Sequence, residues 1–207
     1  PHIKAGTVPD LAAVGQDRLD ELPDLPTLAE AGYPSVRTSG WSALFGDEVV
    51  EQHDWMHPLR GDWITRLEDV VQNQLKKQPE LPIAFVAHSL GCHLVASWAA
   101  LSPNVSKVAG ALLVAPPDPH QANLPPQLHS WSKPVLNPLP FNATLVASTN
   151  DPFGSFTAAQ QLAQNWGAEL VNIGERGHIN AESGLADWPA GRELLLKTTN
   201  HNGPING

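Results

Sequence analysis

Short apolar runs and amphipathic stretches alternate along most of this chain. Ile83 to Ala87 is a short apolar run of the buried-strand kind, and Leu94, Val95, Trp98 and Ala99 follow it at helical spacing. Val108 to Ala115 and Ala143 to Ser148 are two further apolar runs, read as buried strands of a parallel sheet. Phe156, Ala159, Leu162, Ala163 and Trp166 mark a helix that Gly167 closes. Ala168 to Ile173 reads as the next strand, and Trp188-Pro189 opens a last helix that runs to about Lys197. Upstream, Trp63, Ile64, Leu67, Val70, Val71 and Leu75 recur as the apolar positions of a helix with Asp62 as its expected cap. Lys76-Lys77 lies at its end, where positive charge suits the helix dipole. Val49 to Glu51 reads as the end of a short strand. Strand and helix alternate from Ile83 to Lys197, which predicts an α/β fold, a three-layer αβα sandwich around a mostly parallel sheet. Ligands of such sheets bind at the carboxyl ends of the strands.

Three polar residues fall at those ends: Ser89, Asp151 and His178. Ala87-His88-Ser89-Leu90-Gly91 joins a strand to a helix through a sharp turn that carries a serine, the context of a nucleophile elbow. The residues two before and two after the serine must be small, and here they are Ala87 and Gly91. An alanine replaces the usual first glycine, yet it meets the steric demand. The turn sets the first helical N–H, that of Leu90, where it would stabilise developing negative charge. The chain order of nucleophile, acid and base is that of α/β-hydrolases. A serine hydroxyl is a weak nucleophile until an imidazole takes its proton, and the imidazole needs a carboxylate to hold its tautomer. Asp118 competes as the acid, since it also follows an apolar run; Asp151 is preferred because it lies one strand later.

Other residues offer chemistry of their own. His88 adjoins the serine, but neighbours on an elbow point apart; it is a substrate-pocket candidate together with Trp55 and Trp131. Trp131 lies in a proline-rich loop, residues 116–142, long enough to be a functional excursion. His53 and His57 are spaced like metal ligands, but Asp54-Trp55 and Pro58 predict a loop, so neither a metal nor a cofactor is expected. Trp55, Trp63 and Trp188 are read as packing residues rather than a binding cage.

Composition narrows the picture. The 207 residues suffice for one domain with a substantial core, and 42% hydrophobic with 16% charged is globular. The formal net charge of -9 argues against a nucleic-acid or anionic-membrane surface. No apolar run reaches the roughly 18 residues of a membrane helix. Cys92 is alone, so no intrachain disulfide forms, and its expected role is burial as a small apolar side chain. The chain opens at Pro1 without a signal-like segment, and its true start is read as lying upstream or removed by engineering.

Five separated motifs carry a resemblance. They are Gln52-His53-Asp54-Trp55 with Pro58 and Asp62-Trp63, then Ala87 to Cys92, then Val114-Ala115-Pro116-Pro117-Asp118. Ser148 to Phe153, and Gly177-His178-Ile179-Asn180 through Trp188-Pro189-Ala190-Gly191, complete them. From about Leu44 to Lys197 the chain resembles the serine hydrolases related to retinoblastoma-binding protein nine, a small branch of the α/β-hydrolases. The resemblance implies Ser89 as nucleophile, Asp151 as acid and His178 as base, in serine-dependent hydrolysis of an ester or amide through an acyl-enzyme.

The first 45 residues differ. Leu22-Pro23-Asp24-Leu25-Pro26-Thr27-Leu28-Ala29-Glu30-Ala31-Gly32-Tyr33-Pro34, with Thr27 as a helix cap and Glu30 three residues on, is similar to a late stretch of the substrate-binding receptors of tripartite tricarboxylate transporters. The expected organisation is a receptor-like segment (1–45) packed on or completing the sheet, a hydrolase-like domain (46–197) and a flexible tail (198–207). The two resemblances meet near Trp41 to Gly46, as at a natural join, an engineered chimera or a recombination product. Hydrolase relatives begin with a strand and a loop that supplies a second oxyanion N–H. Here that loop is replaced, and the backbone N–H of Gly40 or Trp41 is the candidate donor. Loss of one donor costs about 10²–10³ in rate, so an intact triad is compatible with a slow enzyme. The expected substrate is a small ester or amide. The alternative is a non-catalytic scaffold that binds a partner. The hydrolase relatives suggest a cytoplasmic location and the receptor-like piece a periplasmic one.

Overall fold

The computed structural model describes residues 50–120, 125–185 and 188–200. The expectations for Thr27, Gly40, Trp41, Val49 and residues 201–207 lie outside the described residues.

Four strands, β1 (Ile83–His88), β2 (Val108–Val114), β3 (Ala143–Ala147) and β4 (Glu169–Asn172), pair in parallel in the order β1-β2-β3-β4. Their boundaries follow the apolar runs within a residue or two. Side chains alternate between the two faces, as the pleat requires. Ala111, Leu113, Leu145 and Ala147 enter one core with Trp98 and Trp166, whereas Leu112, Val114 and Val146 enter a second with Ile179 and Trp188. Helices α1 (Arg60–Lys77), α2 (Leu90–Ala99) and α3 (Phe156–Trp166) supply the first core. Helix α4 (Pro189–Asn200) covers the opposite face through Leu194 and Leu195. These are the three layers the alternation implied.

Register decides where the loops emerge. His88 pairs with Val114, Val114 with Val146, and Ala147 with Asn172, so the strands end on one rim. The ladder continues past the strand ends: Ser89 N–H donates to Val114 O, Ala115 N–H to Val146 O, and Thr149 N–H to Gly174 O. The elbow, the segment after β3 and the segment after β4 are thereby bound to the sheet.

Several boundaries differ from the sequence reading, each for a physical reason. Helix α1 starts two residues before the expected cap Asp62, after Leu59, which offers no side-chain cap. The Arg60 N–H finds the hydroxyl of Ser130 instead, 3.1 Å away, while Asp62 sits in the first turn where its charge suits the dipole. Val50 and Glu51 are not in a strand. Helix α4 continues through Thr198 to Asn200, because the Thr198 hydroxyl donates to Leu194 O and pairs with Thr144 Oγ1 on β3. The described part of the proline-rich segment packs on the helices: Trp131 Nε1–H donates to Pro58 O, and Trp166 Nε1–H donates to Val135 O.

One polar hub ties α1 to α2. Glu68 accepts from Trp98 Nε1–H, Ser102 Oγ–H and Asn104 Nδ2–H, each at 2.7 Å, and from Gln72 Nε2–H at 3.0 Å. Partial burial pushes the Glu68 carboxyl upward, but the four donors outweigh it and hold it below its ordinary value of 4.5. A carboxyl depressed in the fold contributes stability above its unfolded value and loses it as pH falls through the folded one. Glu68→Ala is expected to lower the urea midpoint by the equivalent of about 1–3 kcal/mol, since the buried Trp98 N–H loses its acceptor. The acid limb below pH 4.5 is expected to be shallower in that variant than in the parent. Circular dichroism across pH 3 to 7, on the order of half-unit steps, measures both effects.

Candidate active site

Ser89 stands between β1 and α2 with φ 55° and ψ −126°. A non-glycine residue held there costs on the order of 1–3 kcal/mol and persists only where its surroundings fix it. The Ser89 N–H bond to Val114 O and the Cys92 N–H bond to Ser89 O do so. Gly91 faces Ala87 across the turn, and a Cβ on Gly91 would stand 3.6 Å from the Ala87 Cβ, an ordinary contact, so the turn has room for a methyl at Ala87. Cys92 is fully buried beneath the turn, its thiol against Ala87 O and Val114 O, and burial pushes that thiol upward. A serine before a helix ordinarily caps it. Ser89 makes no such bond; its hydroxyl lies 2.9 Å from His178 Nε2. Leu90 opens α2, so its N–H has no intrahelical acceptor.

On its other side, His178 Nδ1 lies 3.0 and 2.9 Å from the two carboxylate oxygens of Asp151. A carboxylate only accepts, so Nδ1 carries the proton and Nε2 presents its lone pair to the Ser89 hydroxyl. Asp151 also accepts from the Phe153 N–H at 2.9 Å, which fixes the carboxylate. Its side chain is only 4% exposed and that of His178 9%, so the pair is shielded from water.

The segment carrying His178 is bent on both sides, with Gly177 at φ 55° and Ile179 at φ 50°. For a β-branched residue such as Ile179 that conformation is a genuine outlier. Ile179 is fully buried in the second core, and the segment is tied to its neighbours. Asn150 Oδ1 accepts from Gly177 N–H at 2.7 Å, and Ser148 Oγ accepts from Arg176 N–H at 2.9 Å while donating to Asn150 Oδ1. His88 approaches from β1, with its Nε2 2.8 Å from His178 O. Burial pushes the His88 imidazole down to about 4, so it is neutral above that. The sequence reading did not single out Ser148 or Asn150. Their signal was the polar run Ser148-Thr149-Asn150-Asp151 directly after an apolar strand.

Other expected residues lie elsewhere. Trp131 is buried edge-on against Trp63, and Trp55 also meets that indole edge-on. They pack on Trp63 of α1 as an aromatic cluster. His88 shares the site, but its Nε2 is bonded to the His178 carbonyl rather than turned to a substrate. Asp118 accepts from the His120 N–H, and its own N–H donates to Phe153 O, so it shapes the turn beside Asp151. Gly154 passes this turn closely, and a Cβ there would stand 3.0 Å from Pro116 O. Asp54 accepts from the Met56 and His57 N–H groups and from His57 Nδ1, which makes residues 54–57 a turn. Among the described residues no cluster of three His, Cys, Asp or Glu side chains is placed to share a metal ion. None of their helices is long and apolar enough to cross a membrane.

A cavity of about 370 Å³ opens beside His178, lined by Pro152, Phe153, Arg176 and Asn180 among others. The Phe153 ring meets the His178 imidazole edge-on at 4.6 Å.

Solved structures share this architecture. A YdeN-like hydrolase from Pectobacterium atrosepticum is 29% identical, aligned over 77% of this chain and 80% of that one, with TM-score 0.63. The ydeN gene product of B. subtilis is 20% identical over 80% and 89% of the two chains, with TM-score 0.57. The esterase domain of a Rhodothermus marinus protein is 18% identical over 67% and 68%, with TM-score 0.52, a likeness of fold. No curated protein matches the chain. The model of the family described as serine hydrolase matches residues 37–197, reaching into the stretch that reads as receptor-like. The chain therefore belongs to the serine hydrolase family and is a hydrolytic enzyme.

Proposed function

We propose that the enzyme hydrolyses small esters or amides by nucleophilic attack of Ser89, with His178 as general base and acid and Asp151 as its orienting carboxylate. The observation that carries this reading is the unbroken line from Asp151 through His178 Nδ1 and Nε2 to the Ser89 hydroxyl, with both links at about 2.9 Å. His178 takes the hydroxyl proton as Ser89 Oγ bonds to the substrate carbonyl carbon. The tetrahedral oxyanion lies against the Leu90 N–H at the start of α2. Asp151 stabilises the imidazolium, which then gives its proton to the departing alcohol or amine. The acyl group stays on Ser89 Oγ. Water, deprotonated by His178, attacks the ester carbonyl and releases the acid, with the serine proton restored.

The second oxyanion donor is assigned to the backbone N–H of Gly40 or Trp41. The family match from residue 37 supports a hydrolase-like role for that stretch. Within the family, the five separated motifs favour the branch related to retinoblastoma-binding protein nine. The stretch upstream of residue 37 keeps its likeness to transporter receptors. The esterase among the fold neighbours favours esters as first substrates to try.

A fluorophosphonate probe is expected to add one adduct per chain to the parent protein and none to Ser89→Ala. Absence of labelling in a folded parent would sink the proposal. Asp151→Asn is expected to lower kcat by about 10⁴ through the wrong imidazole tautomer, with KM little changed. Turnover of p-nitrophenyl acetate measures it. Gly154→Ala sets a Cβ 3.0 Å from Pro116 O and 3.2 Å from Asp118 N, so the two backbones beside Asp151 must part slightly. It is expected to cost about 1–3 kcal/mol in stability and to lower kcat by at least about tenfold.

A further inference from the structure

We propose that His88 is a positioning residue for the base: its Nε2–H fixes the peptide between His178 and Ile179 and thereby holds the imidazole on Ser89. The proposal rests on the reading of Ser89, His178 and Asp151 as a triad.

Three observations carry it. The first is direction. His88 Nε2 lies 2.8 Å from the His178 carbonyl oxygen, and the two rings are 4.8 Å apart. A carbonyl only accepts, so this contact is a hydrogen bond when Nε2 bears the proton. Burial keeps the ring neutral, and the carbonyl acceptor then assigns its single proton to Nε2.

The second is strain. His178 lies between two residues of positive φ, Gly177 and Ile179. Glycine tolerates that region, whereas isoleucine does not. The peptide joining His178 to Ile179 is the one whose rotation would relieve Ile179. A change in ψ of His178 also alters the backbone frame from which its ring reaches Ser89. Asn150 holds the segment on the Gly177 side, through the Gly177 N–H. On the Ile179 side the peptide is held at both ends: its N–H donates to Arg176 O at 3.2 Å, and its carbonyl accepts from His88.

The third is economy of frame. His88 and Ser89 are consecutive at the exit of β1. One grips the backbone of the base and the other meets its ring. A relative shift of β1 and the segment after β4 would stretch both contacts, so the His88 bond resists the motion that would part nucleophile and base.

The test uses the full chain and four variants: His88→Leu, His88→Gln, His88→Asn and Ser89→Ala. The glutamine amide can set a donor near the position of the imidazole Nε2, while the asparagine amide stops near Nδ1. Steady-state kinetics on p-nitrophenyl acetate are read with the thermal midpoint. The low-field proton resonance of His178 Nδ1–H is read as a signature of its bond to Asp151. His88→Leu is expected to lose about 10–100-fold in kcat, with KM within about twofold, and to broaden or shift that resonance. His88→Gln is expected to recover most of the loss, and His88→Asn little of it. Parent-like kcat in His88→Leu overturns the proposal, as does a His88→Gln protein as slow as a folded His88→Leu. Should His88→Leu fail to fold, glutamine and asparagine variants of equal rate overturn it. Should the parent neither turn over nor take a fluorophosphonate, the triad reading itself fails. The Nδ1–H resonance then decides for His88 alone, and its persistence unchanged in His88→Leu overturns the proposal.

Discussion

The structure turns on one constraint, the left-handed backbone of Ser89 at the end of a buried parallel strand. A serine does not adopt φ 55° for its own sake. It does so here because β1 is clamped by β2 up to His88, and because α2 begins at the next residue. The chain must reverse between them within a single residue. That turn points the hydroxyl away from the helix it would otherwise cap. It also sets Leu90 N–H at the open end of α2. The local strain is offset by the packing of Cys92, Leu94 and Val95 beneath it, all nearly inaccessible to solvent.

The partners of Ser89 come from the same sheet by register. Parallel strands of matched ends deliver their following loops to one rim. Asp151 follows β3, and His178 follows β4 after a short bent segment. Fixing the segment takes more than the strands provide. Ser148 and Asn150 bind its backbone from the side of the acid, and His88 binds it from the side of the nucleophile. These contacts are polar and short, and those made by Ser148 and His88 are part-buried and so costly to leave unmade. The site is therefore held in shape before substrate arrives, which is the condition for stabilising a transition state rather than a ground state.

The strands and the order of Ser89, Asp151 and His178 were legible because both depend on local pattern. Apolar runs mark buried parallel strands, and polar residues after them mark the rim. What was not legible depends on distant or orientational facts. The start of α1 is set by Ser130, seventy positions away in sequence, which no cap rule at Asp62 reveals. Trp55 and Trp131 read equally well as pocket walls or packing residues, since an indole in a loop carries no direction. Their edge-on contacts with Trp63 show them packing on α1. His88 was read as pointing away from the serine. Its ring meets the carbonyl of a residue ninety positions on, which no local pattern reveals.

The most direct test of the account is to locate the acyl group. The parent enzyme is mixed with excess p-nitrophenyl acetate, quenched in acid within the first turnover, digested and sequenced by tandem mass spectrometry. The account predicts an acetyl group on Ser89, absent from the Ser89→Ala protein. Turnover that persists in Ser89→Ala, or an acetyl group found only on another residue, would contradict it.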